Sequence, residues 1–333
     1  MRQLRVTVCL VSCALIGGAA PFLGCGSDSS GGGATDDAAG DVTNDVVAAD
    51  TSLIDSPAVD ASDADVPEPL FDCSTDSAVD APTHLRCTGL YDRWTKKTIL
   101  ATVQEYKPAV TFWSDGAEKK RWIFLPPGTQ IDTTDMEQWV FPVGTKLWKE
   151  FAFGGKRVET RFFWKVGSTT WVRTTYQWSA DEQSAVRLDT GFSQNDAGDP
   201  DAGAYEIPAV AKCDTCHAGS TDKILGFAGV ALALPGATGY SLPKLVADGK
   251  LTTNPATTAL TIPDDGLGSR NALGWLHANC GIACHNTTPN AACEFKGMHL
   301  RLTYAELAAA TPLASLGPYA TTVKVGATIP AAG

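Results

Sequence analysis

The sequence predicts a multidomain protein, an all-β, sandwich-like domain followed by a mainly α region. Three observations predict it. Between residues 71 and 210, short runs alternate apolar and polar side chains with period two, and Gly/Pro turn signals separate them. From Ile207-Pro208 onward the alternation stops, and short helix-like segments take over. Ahead of residue 70 neither pattern exists.

The N-terminus is a processing signal. Arg2 and Arg5 form a basic start, residues 6 to 23 are mostly apolar, and Phe22-Leu23-Gly24-Cys25 closes the stretch. A small residue before a cysteine at this point has the form of a bacterial lipobox, so residues 1–24 are expected to be a lipoprotein signal peptide and Cys25 the lipidated residue. Leu10-Val11-Ser12-Cys13 fits the lipobox letters better, but it leaves an apolar core at the bottom of the usual length range. An ordinary secretory signal is the competing assignment.

Residues 25–70 are expected to form a linker, mostly of Gly, Ser, Ala, Thr, Val and Asp, with eleven acidic residues and no Lys or Arg. Such a segment cannot bury enough apolar surface to fold and repels itself. As a coil it spans about 35–40 Å. It also accounts for most of the charge, because the whole chain is at −11 while residues 71–333 carry only −2. A nearly neutral folded part gives no footing for nucleic acid.

The β domain, residues 71–210, begins between Cys73 and Cys87, which can pair in an oxidising compartment. Strands are expected at Arg121–Leu125, Gln138–Phe141, Lys146–Phe153, Lys156–Val166 and Trp171–Trp178. Along the fourth, Val158, Thr160, Phe162, Trp164 and Val166 alternate with Arg157, Glu159, Arg161 and Lys165. Turn signals at Pro126-Pro127-Gly128, Pro142-Val143-Gly144 and Gly154-Gly155 separate the strands. Seven of the nine tryptophans lie between Trp113 and Trp178, as expected of rings that pack a β core, with a sugar-binding platform as the functional alternative. Asp115, in Trp113-Ser114-Asp115-Gly116, reads as a turn aspartate rather than an acid or ligand. This domain is expected to build a core of its own.

Residues 211–333 open on Cys213-Asp214-Thr215-Cys216-His217. Cys-x-x-Cys-His is the attachment pattern of a c-type haem. Thiols at i and i+3 share a helix face and can reach the two vinyl groups of one porphyrin, and the histidine can ligate its iron. Cys280-Gly281-Ile282-Ala283-Cys284-His285 repeats the theme with one extra residue. Cys213, Cys216, Cys280 and Cys284 are therefore the expected attachment residues for two covalent haems c, and His217 and His285 the proximal iron ligands. Zinc on four thiolates, or disulfides, compete for these cysteines. Neither explains why a histidine follows the second cysteine twice in a chain with five histidines. Distal candidates are Met298, His277 and His299. Helices are expected over Leu242–Leu251, from a Ser269 cap to about His285, and over 303–310.

The stretches FWSDGAEKKRWIFLPPGTQID, FPVGTKLWKEF with RVETRFFWKV, IPAVAKCDTCH, and LHANCGIACHN followed by GMHLRL together resemble a family of exported bacterial dihaem cytochrome c-like lipoproteins. The resemblance covers about residues 84–302. It implies a β-sandwich-like domain, a cytochrome c-like dihaem region over 211–333, and a periplasmic or envelope location, and it supplies no substrate. That family usually has two residues between the cysteines of the second motif. It also continues to a Met-Pro-type axial ligand before a last helix, so the sequence ending at Gly333 is expected to be truncated at its C-terminus.

The expected function is that of an envelope-anchored dihaem c-type cytochrome in electron transfer, more an electron carrier than an enzyme. Its expected partners are a redox protein of the cell envelope and a membrane reached through the lipid anchor, with no nucleic acid. The expected location is the outer membrane, facing the periplasm or the cell surface. One alternative is a dihaem peroxidase or oxidase, which the presence of only three methionines favours. The other is a binding module, with the Trp-rich domain recognising a polymer or partner and the Cys/His motifs acting as zinc or disulfide staples.

Overall fold

A computed structural model describes residues 70–74, 80–194, 205–289, 291–293 and 297–323. The expected signal peptide, Cys25 and the expected linker up to residue 69 lie outside the described residues. All the described residues belong to one compact unit, Ala64–Gly333. Among them, no helix is long and apolar enough to cross a membrane.

The architecture is organised by one antiparallel sheet. Its long strands are β4 (Glu118–Phe124), β5 (Lys146–Phe153), β6 (Lys156–Lys165) and β7 (Trp171–Trp178). Short strands β3 (Gln104–Lys107), β8 (Ala185–Arg187) and β11 (Thr238–Gly239) complete seven strands in the order β11-β3-β4-β5-β6-β7-β8. Two two-stranded ribbons accompany it, β1 (Tyr91–Arg93) with β2 (Thr98–Ile99), and β9 (Phe192–Gln194) with β10 (Tyr205–Ile207). The expected strand over Gln138–Phe141 reduces to a bridge between Asp132 and Val140.

Register decides what each face holds. Trp122 lies opposite Trp148, and Trp148 opposite Phe162. These rings share one face with Tyr176 and Trp178 and pack with Leu85, Leu90, Tyr91, Trp94 and Val103 from the segment ahead of the sheet. On this face the 71–210 segment does supply its own core. On the other face Ile123 lies opposite Leu147, and Leu147 opposite Phe163. That row is covered by Phe227, Val230, Leu232, Leu242, Leu245, Leu302 and Leu316, all beyond residue 210.

The sheet corrects the expected fold class on two points. The β part is one seven-stranded sheet with chain packed on both faces, instead of two sheets face to face. The region after residue 210 does not form a mainly α cytochrome c-like unit. Its described helices are six short ones, α1 (Cys213–His217), α2 (Gly229–Ala233), α3 (Leu242–Ala247), α4 (Ser269–Leu276), α5 (Tyr304–Ala308) and α6 (Gly317–Thr322). The longest has eight residues. Pro235-Gly236, Gly239, Gly249, Pro255, Pro263, Gly266 and Gly268 interrupt the pattern, and pieces this short are not stable alone. Packing against the sheet holds them.

Local signals account for several ends. Thr303 and Glu306 form a reciprocal capping box at α5, as 303–310 predicts. Ser269 does not cap α4. Gly268, at φ 94°, holds the cap position, and the Ser269 hydroxyl donates to Asp264 Oδ1 at 3.2 Å. Asp115 (φ 46°) and Gly116 (φ 75°) are the central pair of a tight turn closed by Ala117 N–H donating to Ser114 O at 2.9 Å.

Cys73 and Cys87 are disulfide-bonded across 14 residues. Closing a loop of that size is worth about 3 kcal/mol on the chain-entropy account. Replacing both by serine should lower the urea midpoint accordingly, and an unchanged midpoint would refute that account.

Candidate haem attachment site

The first motif is α1 itself, so Cys213 and Cys216 stand one helical turn apart as the spacing requires. Both thiols are free, Cys213 half-buried and Cys216 exposed. Asp214 anchors the turn to the sheet through Arg173 at 2.5 Å and to Lys223 at 3.0 Å. The guanidinium of Arg173 and the ammonium of Lys223 hold the Asp214 carboxyl well below the usual range. The His217 ring sits against Phe163, centroids 4.9 Å apart, and its Nδ1 lies 2.6 Å from the Lys223 carbonyl oxygen. Burial lowers its pKa to about 4, with Lys149, Arg161 and Arg173 adding to that and the Lys223 carbonyl opposing. The imidazole is thus neutral, its Nδ1 occupied by the carbonyl, so that Nε2 is the nitrogen that could ligate a metal.

The second motif follows α4 through a wide helical turn at His277–Gly281 and ends in a further turn, with Cys284 N–H and His285 N–H both donating to Cys280 O at 3.1 and 2.8 Å. Cys280 and Cys284 are free and half-buried. His285 Nδ1 lies 3.3 Å from the Met298 carbonyl oxygen, which repeats the arrangement at His217. Cys293, also free, folds back so that its N–H donates to Cys284 O at 3.0 Å. The two motifs adjoin. A Cβ on Gly219 would fall 2.2 Å from Ala283 O, and one on Gly281 would fall 2.5 Å from Leu300 O. Glycine at both positions lets backbone approach backbone.

Each donor set, two free thiols closely spaced along the chain and a histidine whose Nδ1 is oriented by a backbone carbonyl, fits covalent haem. Among the described residues, no group of three or more His, Cys, Asp or Glu side chains is placed to hold a metal ion. A zinc site on four thiolates therefore has no geometric support there.

The distal candidates are placed as follows. Met298 is exposed, and it is its carbonyl that meets His285. His299 is held through its backbone, which donates to Thr321 Oγ1 at 3.0 Å. His277 is 3% exposed, and its Nδ1 accepts from Leu302 N–H at 2.9 Å, so the neutral ring carries its proton on Nε2. That nitrogen, Trp139 Nε1 and Ser220 Oγ have no hydrogen-bond partner, and the three residues line one cavity of about 20 Å³ beside Met136.

Burial, with Arg301 adding, pushes the pKa of His277 down to about 3. A group depressed on folding stabilises the native state above its unfolded value and loses that contribution as pH falls toward the folded one. Stability should therefore drop by a few kcal/mol between about pH 6.5 and pH 3. In His277→Asn, whose amide oxygen can still accept from Leu302, the slope in that window should flatten. An unaltered slope would assign the acid sensitivity elsewhere.

Two features went undetected in the sequence. Lys165 and Asp222, both almost fully buried, form an ion pair at 2.6 Å that ties the segment after α1 to β6. Asp222 also accepts from Phe141 N–H at 2.6 Å and Trp171 Nε1 at 3.2 Å. The second is a row of cations, Arg121, Lys149 and Arg161, opposite one another on β4, β5 and β6.

Fold and geometry together define a mainly β protein organised on one seven-stranded sheet, with two adjoining Cys/His motifs, the first of them against the sheet face that carries Phe163. Comparison with protein-family models, with curated proteins and with solved structures finds no match to this chain.

Proposed function

We propose that this chain is a dihaem c-type electron-transfer protein, exported and held at the cell envelope by a lipid on Cys25. The observation that carries the reading is the repeated orientation of histidine by a backbone carbonyl, His217 on Lys223 and His285 on Met298, each directly after a pair of free cysteines. Cys213, Cys216 and His217 would hold the first haem, and Cys280, Cys284 and His285 the second. Haem supplies a one-electron iron couple, and the protein supplies its orientation and electrostatics. The contact of Gly219 with Ala283 suits passage of an electron between the two stations. The partner is a redox protein of the envelope.

The test is a pyridine haemochrome assay with intact mass, on protein matured in a host that attaches haem c. Two haems per polypeptide are expected. A haem-free polypeptide from a host that loads a control cytochrome would refute the reading.

A further inference from the structure

The charges on the sheet face next to His217 do not balance. Arg121 on β4 lies directly opposite Lys149 on β5, and Lys149 directly opposite Arg161 on β6. Residues paired this way project on one face, and like charges so placed repel. The side chains are drawn together further, because Lys149 Nζ and Arg161 Cζ sit over the same Phe151 ring at 4.8 and 4.4 Å. Lys119, one row along on β4, adds a fourth cation.

Carboxylates do not offset this among the described residues. Glu159 pairs with Arg161 at 2.6 Å and accepts a hydrogen bond from Tyr205. Asp214 is engaged by Arg173 and Lys223. Neither Arg121, which is 6% exposed, nor Lys149 forms an ion pair with a described residue. Burial and the neighbouring Arg121, Arg161 and Lys119 push the Lys149 ammonium well below its ordinary pKa. The row does not abut solid core, since Arg121, Lys149 and Arg161 line a cleft of about 70 Å³ together with His217, Phe163 and Phe112. That is room for about two waters or one tetrahedral oxyanion.

We infer that this cleft is a built anion site, in which Arg121, Lys149 and Arg161 bind a carboxylate or small oxyanion beside His217. Three converging cations with one carboxylate among them match such a ligand, and Arg121, whose guanidinium pairs with no carboxylate among the described residues, adds a forked donor that fits two of its oxygens, while the Nε and Nη2 of Arg161 are held by Glu159. The anion has two possible sources. One is the propionates of a haem on Cys213 and Cys216, and to that extent the inference rests on the function proposed above. The other is a free oxyanion admitted next to the iron ligand, which needs no haem.

Inorganic phosphate is the probe, titrated calorimetrically at low ionic strength into the full chain in haem-free and haem-loaded forms. Haem-free protein should bind one phosphate. Lys149→Met should weaken binding at least tenfold, Lys149→Arg should retain it, and Lys120→Met, an exposed lysine of β4 on the other face, should leave it unchanged. Binding by both forms identifies a free oxyanion. Binding by the haem-free form alone identifies the propionates, and Lys149→Met should then shift the midpoint potential of the loaded protein. The inference is overturned if Lys120→Met weakens binding as much as Lys149→Met. It is also overturned if phosphate binds neither form and Lys149→Met leaves the midpoint potential where it was. A chain that takes up no haem yet binds phosphate keeps the site and refutes only the haem reading.

Discussion

Asp222→Asn should destabilise the protein by about 3–5 kcal/mol, the usual cost of leaving one member of a buried ion pair uncompensated. The Lys165 and Asp222 side chains are 1% and 5% exposed, so solvent cannot take over the orphaned ammonium. Asparagine keeps the shape and its Oδ1 still accepts from Phe141 N–H, while its NH2 takes the place of the oxygen that accepts from Trp171 Nε1, so the measured loss reports the charge and that one hydrogen bond rather than a cavity. Adding Lys165→Met should recover part of it, because the pair is then replaced by neutral groups. Urea unfolding of the wild type, both single variants and the double closes the cycle. A double variant no more stable than Asp222→Asn would contradict the account. The effect should reach the first motif as well. Asp222 adjoins Lys223, whose carbonyl orients His217 and whose ammonium holds Asp214, so loosening this point should lower haem retention together with stability.

Some of this was legible in the sequence and some was not, and the division has physical causes. Strands β5, β6 and β7 announce themselves because alternation with period two survives wherever one face is apolar, and Trp122, Trp148 and Phe162 make that face unmistakable. The Cys/His motifs are legible as spacings along the chain, and α1 places Cys213 and Cys216 one helical turn apart as that spacing predicts. The mainly α haem region was a wrong expectation. Short apolar runs such as Val230–Leu234 pack on a sheet as well as they pack in a helical bundle, and the sheet face formed by Ile123, Leu147 and Phe163 was free to take them. Nothing in local sequence marks Lys165 and Asp222 as partners, since they lie 57 residues apart. The cation row is invisible for a related reason. Arg121, Lys149 and Arg161 each look like the polar half of an alternating strand, and only register places them opposite one another.

Selective removal of one haem is the other large effect expected. Cys213→Ala with Cys216→Ala should leave a protein one haem lighter that still gives a haemochrome spectrum, and Cys280→Ala with Cys284→Ala should do the reverse. The motifs sit on different segments, α1 and the turn after α4, and each histidine has its own carbonyl, Lys223 for His217 and Met298 for His285. They do share a backbone contact at Gly219, so each loss should also cost some stability, to be followed by the melting midpoint alongside the haem count. The second motif is the more demanding case, because its cysteines are four residues apart and the maturation machinery must accept that spacing. Should wild type carry a single haem that depends on Cys216 and not on Cys284, the second motif is not an attachment site. Cys293, whose N–H already reaches Cys284 O at 3.0 Å, would then be the thiol best placed to pair with Cys284 under oxidation. Peptide mapping without reduction would identify that bond, and the electron relay would be left with one station.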